Sequence, residues 1–223
     1  MTLGELIARF RSTSNDKVEP YFWSDEDVTQ WLNDAQEEAA IRARLIHESD
    51  SASLCEIKTT AGKAVYQLKP QMYEITHASW DDDGTRSYCL LSLTSTEALD
   101  KNDRHWRTRP ASIPHSVIQT DRSVRIVPAP KSDGTLVIEA YRLPKSLMES
   151  QDDEPEINQA HHRHLVSWAL YKAFSVPDAE MFDPDRAKIA AEEFARYFGI
   201  QTDSDLRRTT RHDVQHHTDA FWV

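Results

Sequence analysis

The hydrophobic periodicity of this chain changes twice, and this order constrains the fold more than any single motif. Apolar residues recur at helical spacing over residues 3–46 and again over 156–199, whereas residues 54–143 read as short strands between turns. Because no helices alternate with these strands, a βαβ architecture is excluded. The order predicts an α+β fold, in which both ends of the chain form a helical bundle around an inserted small antiparallel β module.

The same pattern predicts three parts of the chain. A discontinuous helical bundle comprises residues 1–50 and 150–199, and the inserted β module comprises residues 51–148. Residues 200–223 are mostly polar, show little periodicity and end in Phe-Trp-Val. We therefore expect them to form an extended C-terminal arm.

Several helix boundaries carry recognisable signals. Thr2 and Glu5 have the spacing of a capping box, and Ser24 precedes an acidic first turn. Asp183 followed by Pro184 predicts the start of the last helix. One helix is expected over 156–175, with the strand-rich region and an acidic linker before it.

Composition excludes several classes of function. The formal net charge is −11, so the chain as a whole repels nucleic-acid phosphates, although it could surround DNA without binding it. None of the five glycines lies in a phosphate-binding loop, and the two cysteines lack a metal-binding spacing. No run of apolar residues is long enough to cross a membrane. We therefore expect no cofactor and no membrane contact.

Three histidines between residues 161 and 164 are the strongest candidates for chemistry. His161 and His164 share a helix face and are the metal-ligand candidates, but no carboxylate accompanies them in a known motif. Leu165 and Ala169 mark the buried side of this helix, which would leave His162 on its exposed side. Packing is the favoured interpretation, and a metal-dependent enzyme is the weaker alternative.

The C-terminal arm combines charge with large aromatic side chains. Arginine and tryptophan are enriched at the energetic centres of protein interfaces, so an arm that orders on contact with a partner is favoured over an inert tail. The candidate contact residues are Arg207, Arg208, Arg211, Phe221 and Trp222.

Four stretches carry a resemblance to a known family. They are FWSDEDVTQWLNDAQEEAAIRARLI (22–46), RSVRIVPAPKSDGTLVIEAYRLP (122–144), EPEINQAHHRHLVSWALYKAF (154–174) and DPDRAKIAAEEFARYFG (183–199). Their order, an acidic-capped helix, strands ending in a Pro-x-Pro turn and then two helices, resembles the head-to-tail adaptor (connector) proteins of tailed bacteriophages. The long β region departs from the smallest, all-helical members, which leaves its role open.

The resemblance implies a structural virion protein without catalytic activity, made in the host cytoplasm and placed at the portal–tail junction. Such adaptors form a ring, typically twelvefold, that extends the DNA channel from the portal to a tail-tube or nozzle protein. Their C-terminal arms commonly bind the portal, which by position assigns portal binding to the arm residues named above. The alternative within the same particle is a tail-tube or nozzle component.

Overall fold

The first two helices begin where the sequence predicts. The structure, a computed structural model, describes residues 1–82, 88–177 and 181–200. Helix α1 (Leu3–Ser14) begins with the predicted capping box, in which Glu5 N donates to Thr2 Oγ1 at 3.3 Å and Thr2 N donates to Glu5 Oε2 at 3.2 Å. Helix α2 (Asp25–Ala43) is capped by the Ser24 side chain.

The C-terminal helices differ from the prediction in one respect. The single helix expected over 156–175 is wrong, because the chain forms two helices, α5 (Gln159–His162) and α6 (Leu165–Phe174). The Asn158 side chain caps α5, and the turn that follows α5 starts a new helix after His164.

Helix α7 (Pro184–Phe198) begins at the predicted site. The Asp183 side chain accepts from the backbone N–H groups of Asp185 and Arg186 at 3.1 and 3.0 Å. Pro184 lacks the backbone N–H that the first helical position leaves without a helical partner. The helix ends before Gly199, whose φ of 91° favours glycine.

Helices α1, α2, α6 and α7 enclose one hydrophobic core. The side chains that fill it are mostly aliphatic and alanine, with a cluster of aromatic rings. Its fully or almost fully buried members include Leu3, Leu6, Phe10, Trp23, Val28, Leu32, Ala35, Ala39, Leu165, Ala169, Ala173, Phe174, Ala190 and Phe194.

The strands form two sheets. One sheet has the order β1-β9-β4-β5, with β2 also paired to β9, and the other has the order β3-β8-β7-β6. The strand bounds are β1 His47–Glu48, β2 Glu56–Thr59, β3 Val65–Gln67, β4 Met72–Asp82, β5 Tyr88–Leu90, β6 Ser92–Leu93, β7 Ser116–Gln119, β8 Ser123–Val127 and β9 Gly134–Arg142. Two short helices, α3 (Ala52–Cys55) and α4 (Thr96–Asn102), lie between strands.

The predicted fold class is therefore wrong in its proportions and in its sheet type. The protein is α+β, but two sheets with long strands β4 and β9 replace the small β module that was expected inside a helical bundle. The pairing of β6 with β7 is parallel, whereas an antiparallel module was predicted. Parallel pairing requires a long connection, and α4 with the loop after it provides one.

The described residues divide into two compact units. The first unit contains residues 1–48, 71–73, 141–177 and 181–200, and the second contains 49–70, 74–82 and 88–140. The predicted domain boundaries, 1–50 with 150–199 for the helical bundle, 51–148 for the β module and 200–223 for the arm, stay a prediction.

A close approach to glycine fixes the packing of the second unit. Trp80 is 1% exposed, and its indole Nε1 donates to Thr59 Oγ1 at 2.9 Å. A Cβ atom at Gly134 would lie 2.8 Å from the Trp80 ring. Only glycine therefore allows β9 to lie against this ring without displacement.

Candidate functional site

The two metal-ligand candidates contact an aromatic side chain near the end of α7. His161 Nδ1 lies 3.1 Å from the Tyr197 hydroxyl oxygen. The His164 ring stacks on the Tyr197 ring with centroids 3.5 Å apart and an interplanar angle of 15°. Both histidines thus contact the same tyrosine on α7.

The protonation of His164 also suits packing. Burial lowers the pKa of His164, and the positive charges of Arg163 and His161 lower this pKa further. The neutral ring accepts a hydrogen bond from Arg163 Nε to its Nε2 atom at 3.0 Å. Among residues 1–82, 88–177 and 181–200, no group of three or more His, Cys, Asp or Glu side chains could hold a metal ion.

His162 is the histidine whose position was predicted wrongly. It was assigned to the exposed side of its helix, but it is 1% exposed. Its Nε2 atom lies 2.9 Å from the Ile157 carbonyl oxygen, and its Nδ1 atom lies 3.0 Å from the Met1 nitrogen. Helical periodicity gave no signal for this burial, because His162 ends α5 and the buried Leu165 begins α6.

The predicted portal-binding residues lie outside the described part of the chain. Arg207, Arg208, Arg211, Phe221 and Trp222 all follow residue 200, the last one described. Their role therefore stays a prediction.

An acidic groove in the first unit is a concave feature that sequence analysis missed. It has a volume of about 610 Å³, and its apolar floor includes Leu3, Ile7 and Met148. Leu147 stands at its edge and is 55% exposed. Five of its lining side chains are acidic and none is basic: Asp25, Glu26, Asp34, Glu37 and Glu149. We call this feature the acidic groove.

One buried amide holds the two walls of the acidic groove together. Asn33 on α2 is 8% exposed, and its Nδ2 donates to the Met148 carbonyl oxygen at 3.0 Å. Its Oδ1 accepts from Met148 N at 2.9 Å. The amide thus satisfies both backbone groups of a buried residue 115 positions away. A polar residue beside the apolar stripe of α2 was the signal for this contact.

The acidic stretch 149–156 is well anchored, although its composition is typical of a solvated linker. Gly4 N donates to the Gln151 carbonyl at 3.0 Å, and Leu3 N donates to the Asp153 carbonyl at 2.7 Å. Backbone N–H groups of Glu149 and Ser150 each donate to the Asp153 carboxylate at 2.8 Å. These two hydrogen bonds lower the pKa of Asp153. The groove wall is therefore preformed.

A buried arginine anchors the other end of this stretch. Arg142 is 5% exposed and donates to Glu48 Oε2 at 2.9 Å and to Glu156 Oε1 at 2.5 Å. Burial raises the pKa of Glu156, but hydrogen bonds from Arg142 and from the Lys145 backbone N–H outweigh burial and leave that pKa lowered. The bond to Glu156 raises the pKa of Arg142. The carboxylate and the guanidinium thus stabilise each other's charged form.

A second arginine shapes the loop between α1 and α2. Arg11 is 8% exposed and pairs with Asp16 at 2.8 Å and with Asp25. Its guanidinium also lies 3.6 Å from the Tyr21 ring centroid. The loop that it fixes presents Phe22, which is 53% exposed.

A basic surface in the second unit has the opposite charge to the acidic groove. Trp106 is 5% exposed, and the guanidinium carbons of Arg107 and Arg125 lie 4.3 and 5.0 Å from its ring centroid. Trp106 Nε1 donates to Asp100 Oδ1 at 2.7 Å, and Arg107 pairs with the same carboxylate. Lys101 lies next to this carboxylate in sequence. We call the side chains of Lys101, Arg104, Arg107, Arg109, Arg122 and Arg125 the basic surface; of these, Arg109 pairs with Asp103 at 2.9 Å, as Arg107 does with Asp100.

Comparisons with known proteins give one family. The family model described as SU10 adaptor protein matches residues 1–215. No curated protein matches the chain at a significant level. Within the described residues, no helix combines the length and the hydropathy that a membrane crossing needs.

Proposed function

We infer a role at the head–tail junction of a tailed phage because this chain belongs to the SU10 adaptor protein family, a family of phage head-to-tail adaptors. The chain is thus a structural protein of the virion. In our proposal it binds the portal on one side and a tail-tube or nozzle protein on the other. Membership of the family is the single observation that carries this proposal.

We further propose that the chain forms a ring, with twelve copies as in the adaptors that it resembles. A ring that continues the portal channel lets DNA pass without specific binding. The formal net charge of −11 supports this role, since an acidic wall repels phosphates and does not retain the DNA. In this proposal the ring is assembled from chains made in the host cytoplasm.

The proposed role requires no catalytic turnover. The family is structural, and the histidines that were the best candidates for chemistry contact Tyr197 and backbone groups. We therefore propose that the chain is not an enzyme and that His161 and His164 stabilise the contact between α6 and α7.

The proposed portal contact is the C-terminal arm. Arg207, Arg208 and Arg211 would supply charged hydrogen bonds, and Phe221 and Trp222 would supply apolar anchors. The support for this assignment is the sequence, because these residue types are enriched where interfaces concentrate their binding energy.

Binding to the portal ring encoded in the same genome tests this assignment. The full chain is compared with a chain that lacks residues 200–223, and both are checked for an unchanged thermal melting curve. Binding that requires the arm is the expected result. A folded truncated chain with undiminished portal binding would remove the arm from the interface.

A matched pair of variants separates the arginines from charge in general. In the first variant Arg207, Arg208 and Arg211 are replaced by alanine, and in the second Asp203, Asp205 and Asp213 are. We expect the first variant to weaken portal binding at least about tenfold and the second to leave it within about threefold. A folded full-length chain that binds a tail-tube protein but no portal would instead favour a more distal tail component.

A further inference from the structure

The sign of the charge reverses along this acidic chain. Although the formal net charge is −11, residues 100–131 contain seven basic and three acidic side chains. These basic residues are Lys101, Arg104, Arg107, Arg109, Arg122, Arg125 and Lys131, and the acidic ones are Asp100, Asp103 and Asp121. A local excess of positive charge on a chain with a large negative charge can steer the association of this region with an acidic partner.

The basic surface is held in place for such a contact. Lys101 and Arg104 are exposed, and the Trp106 ring fixes the two arginines that flank it. Arg107 and Arg109 pair with Asp100 and Asp103, whereas Lys101 and Arg104 form no ion pair within the described residues. Lys101 and Arg104 therefore offer exposed cations next to a Trp106 ring that is held in place.

The acidic groove has the complementary properties. Among the described residues that line it, five are carboxylates and none is basic, although Asp25 pairs with Arg11 outside the lining, and Leu3, Ile7 and Met148 are apolar. Leu147 also lines the groove and is 55% exposed, so it is accessible to a partner. Such a groove favours a partner that presents basic and apolar side chains together.

We propose that the basic surface of one copy of this chain docks on the acidic groove of the next copy. Two different surfaces on one chain give a heterologous contact, and a heterologous contact closes into a ring when its rotation allows. The inference rests on the proposed ring and specifies which surfaces form it. Opposite charges at the contact also offset the repulsion between copies that each carry a large negative charge.

Charge reversal on either surface tests the contact. Glu37→Lys/Glu149→Lys makes the groove basic, and Lys101→Glu/Arg104→Glu makes the basic surface acidic. The charge-matched control is Glu192→Lys/Glu193→Lys, on exposed residues of α7 that do not line the groove. Each protein is first shown to be folded by its thermal melting curve.

Self-association is measured by sedimentation velocity at low and moderate salt, for the free chain and for the chain bound to the portal ring. We expect each double variant to weaken contact between copies at least about tenfold, while the control stays within about threefold. An equimolar mixture of the two variants restores the contact, because each reversed groove then meets a reversed basic surface. Added salt weakens the wild-type contact.

Several results would overturn the inference. Copies would be shown to meet through other surfaces if either double variant assembled like the wild type, or if the mixture of the two did not recover self-association. Either result would leave the adaptor function standing. If Lys101→Glu/Arg104→Glu lost portal binding but kept self-association, the basic surface would be assigned to the portal. If the wild type bound duplex DNA and Lys101→Glu/Arg104→Glu abolished that binding, the basic surface would be assigned to nucleic acid. A wild-type chain that does not bind the portal at all would remove the proposed function and the inference together.

Discussion

Replacing Asn33 by alanine tests whether the acidic groove is built as the structure shows. The substitution leaves the buried N–H and C=O groups of Met148 without their partner. An unsatisfied buried polar group costs about 1–3 kcal/mol, and the better helix propensity of alanine offsets about 0.5 kcal/mol. We expect Asn33→Ala to lower the free energy of unfolding by about 2–4 kcal/mol.

Urea denaturation followed by tryptophan fluorescence measures this loss. In a chain of this size the loss corresponds to a decrease of about 4–16 °C in the melting temperature. Gln30→Ala is the matched control, because Gln30 lies one turn earlier on α2, also lines the groove and is exposed. We expect the control to change the free energy of unfolding by less than about 0.5 kcal/mol.

The same variants connect stability to assembly. Asn33→Ala releases the wall that carries Leu147 and Glu149, so it also weakens contact between copies under conditions where the chain stays folded. A free energy of unfolding equal to that of Gln30→Ala would refute the reasoning, since it would show that Asn33 does not hold Met148.

Three further predictions concern the fold. Gly134→Ala places a methyl group 2.8 Å from the Trp80 ring, so it lowers the free energy of unfolding by about 1–3 kcal/mol; an unchanged value in urea denaturation would contradict this packing. Arg142 keeps the pKa of Glu156 low, so this carboxylate stabilises the fold above its unfolded pKa of about 4.3 and loses that effect as the pH falls through its folded pKa. Unfolding measured from pH 7 to 3 should therefore show a steeper loss for the wild type than for Glu156→Gln, and parallel curves would contradict the ion pair. Tyr197→Leu removes the ring that both candidate histidines contact and costs about 0.5–1.5 kcal/mol in thermal denaturation, whereas a melting temperature equal to the wild type's would leave that contact without a stabilising role.

Local signals predicted the helix ends well. The Thr2 and Glu5 capping box and the Asp183-Pro184 start depend on residues within one helical turn, so the sequence alone contains them. The break between α5 and α6 was missed because periodicity continues across it. His162 was missed because its polarity assigned it to solvent, whereas backbone groups of Ile157 and Met1 surround its buried ring.

The sheets could not be derived in the same way. The strand-like runs were visible, but the parallel pairing of β6 with β7 joins Ser92 and Leu93 to Ser116 and Val117 across a long connection. Strand order depends on such distant contacts, and period alone does not determine them. The prediction therefore found α and β regions in the right order but underestimated the sheets.

The acidic groove was hidden for the same physical reason. Its walls come from α2 and from a stretch more than a hundred residues later, and Asn33 with Met148 joins them. The sequence showed that stretch only as an acidic linker. The family resemblance, by contrast, rests on helix and strand motifs in order, and the match to residues 1–215 confirms it.

The adaptor function is tested most directly by the binding of the purified full-length chain to the portal ring encoded in the same genome. Native mass spectrometry of the mixture gives both the affinity range and the number of copies bound. Our account predicts a saturable complex with twelve copies on each portal ring. A folded chain that shows no portal complex at any concentration tested would contradict it.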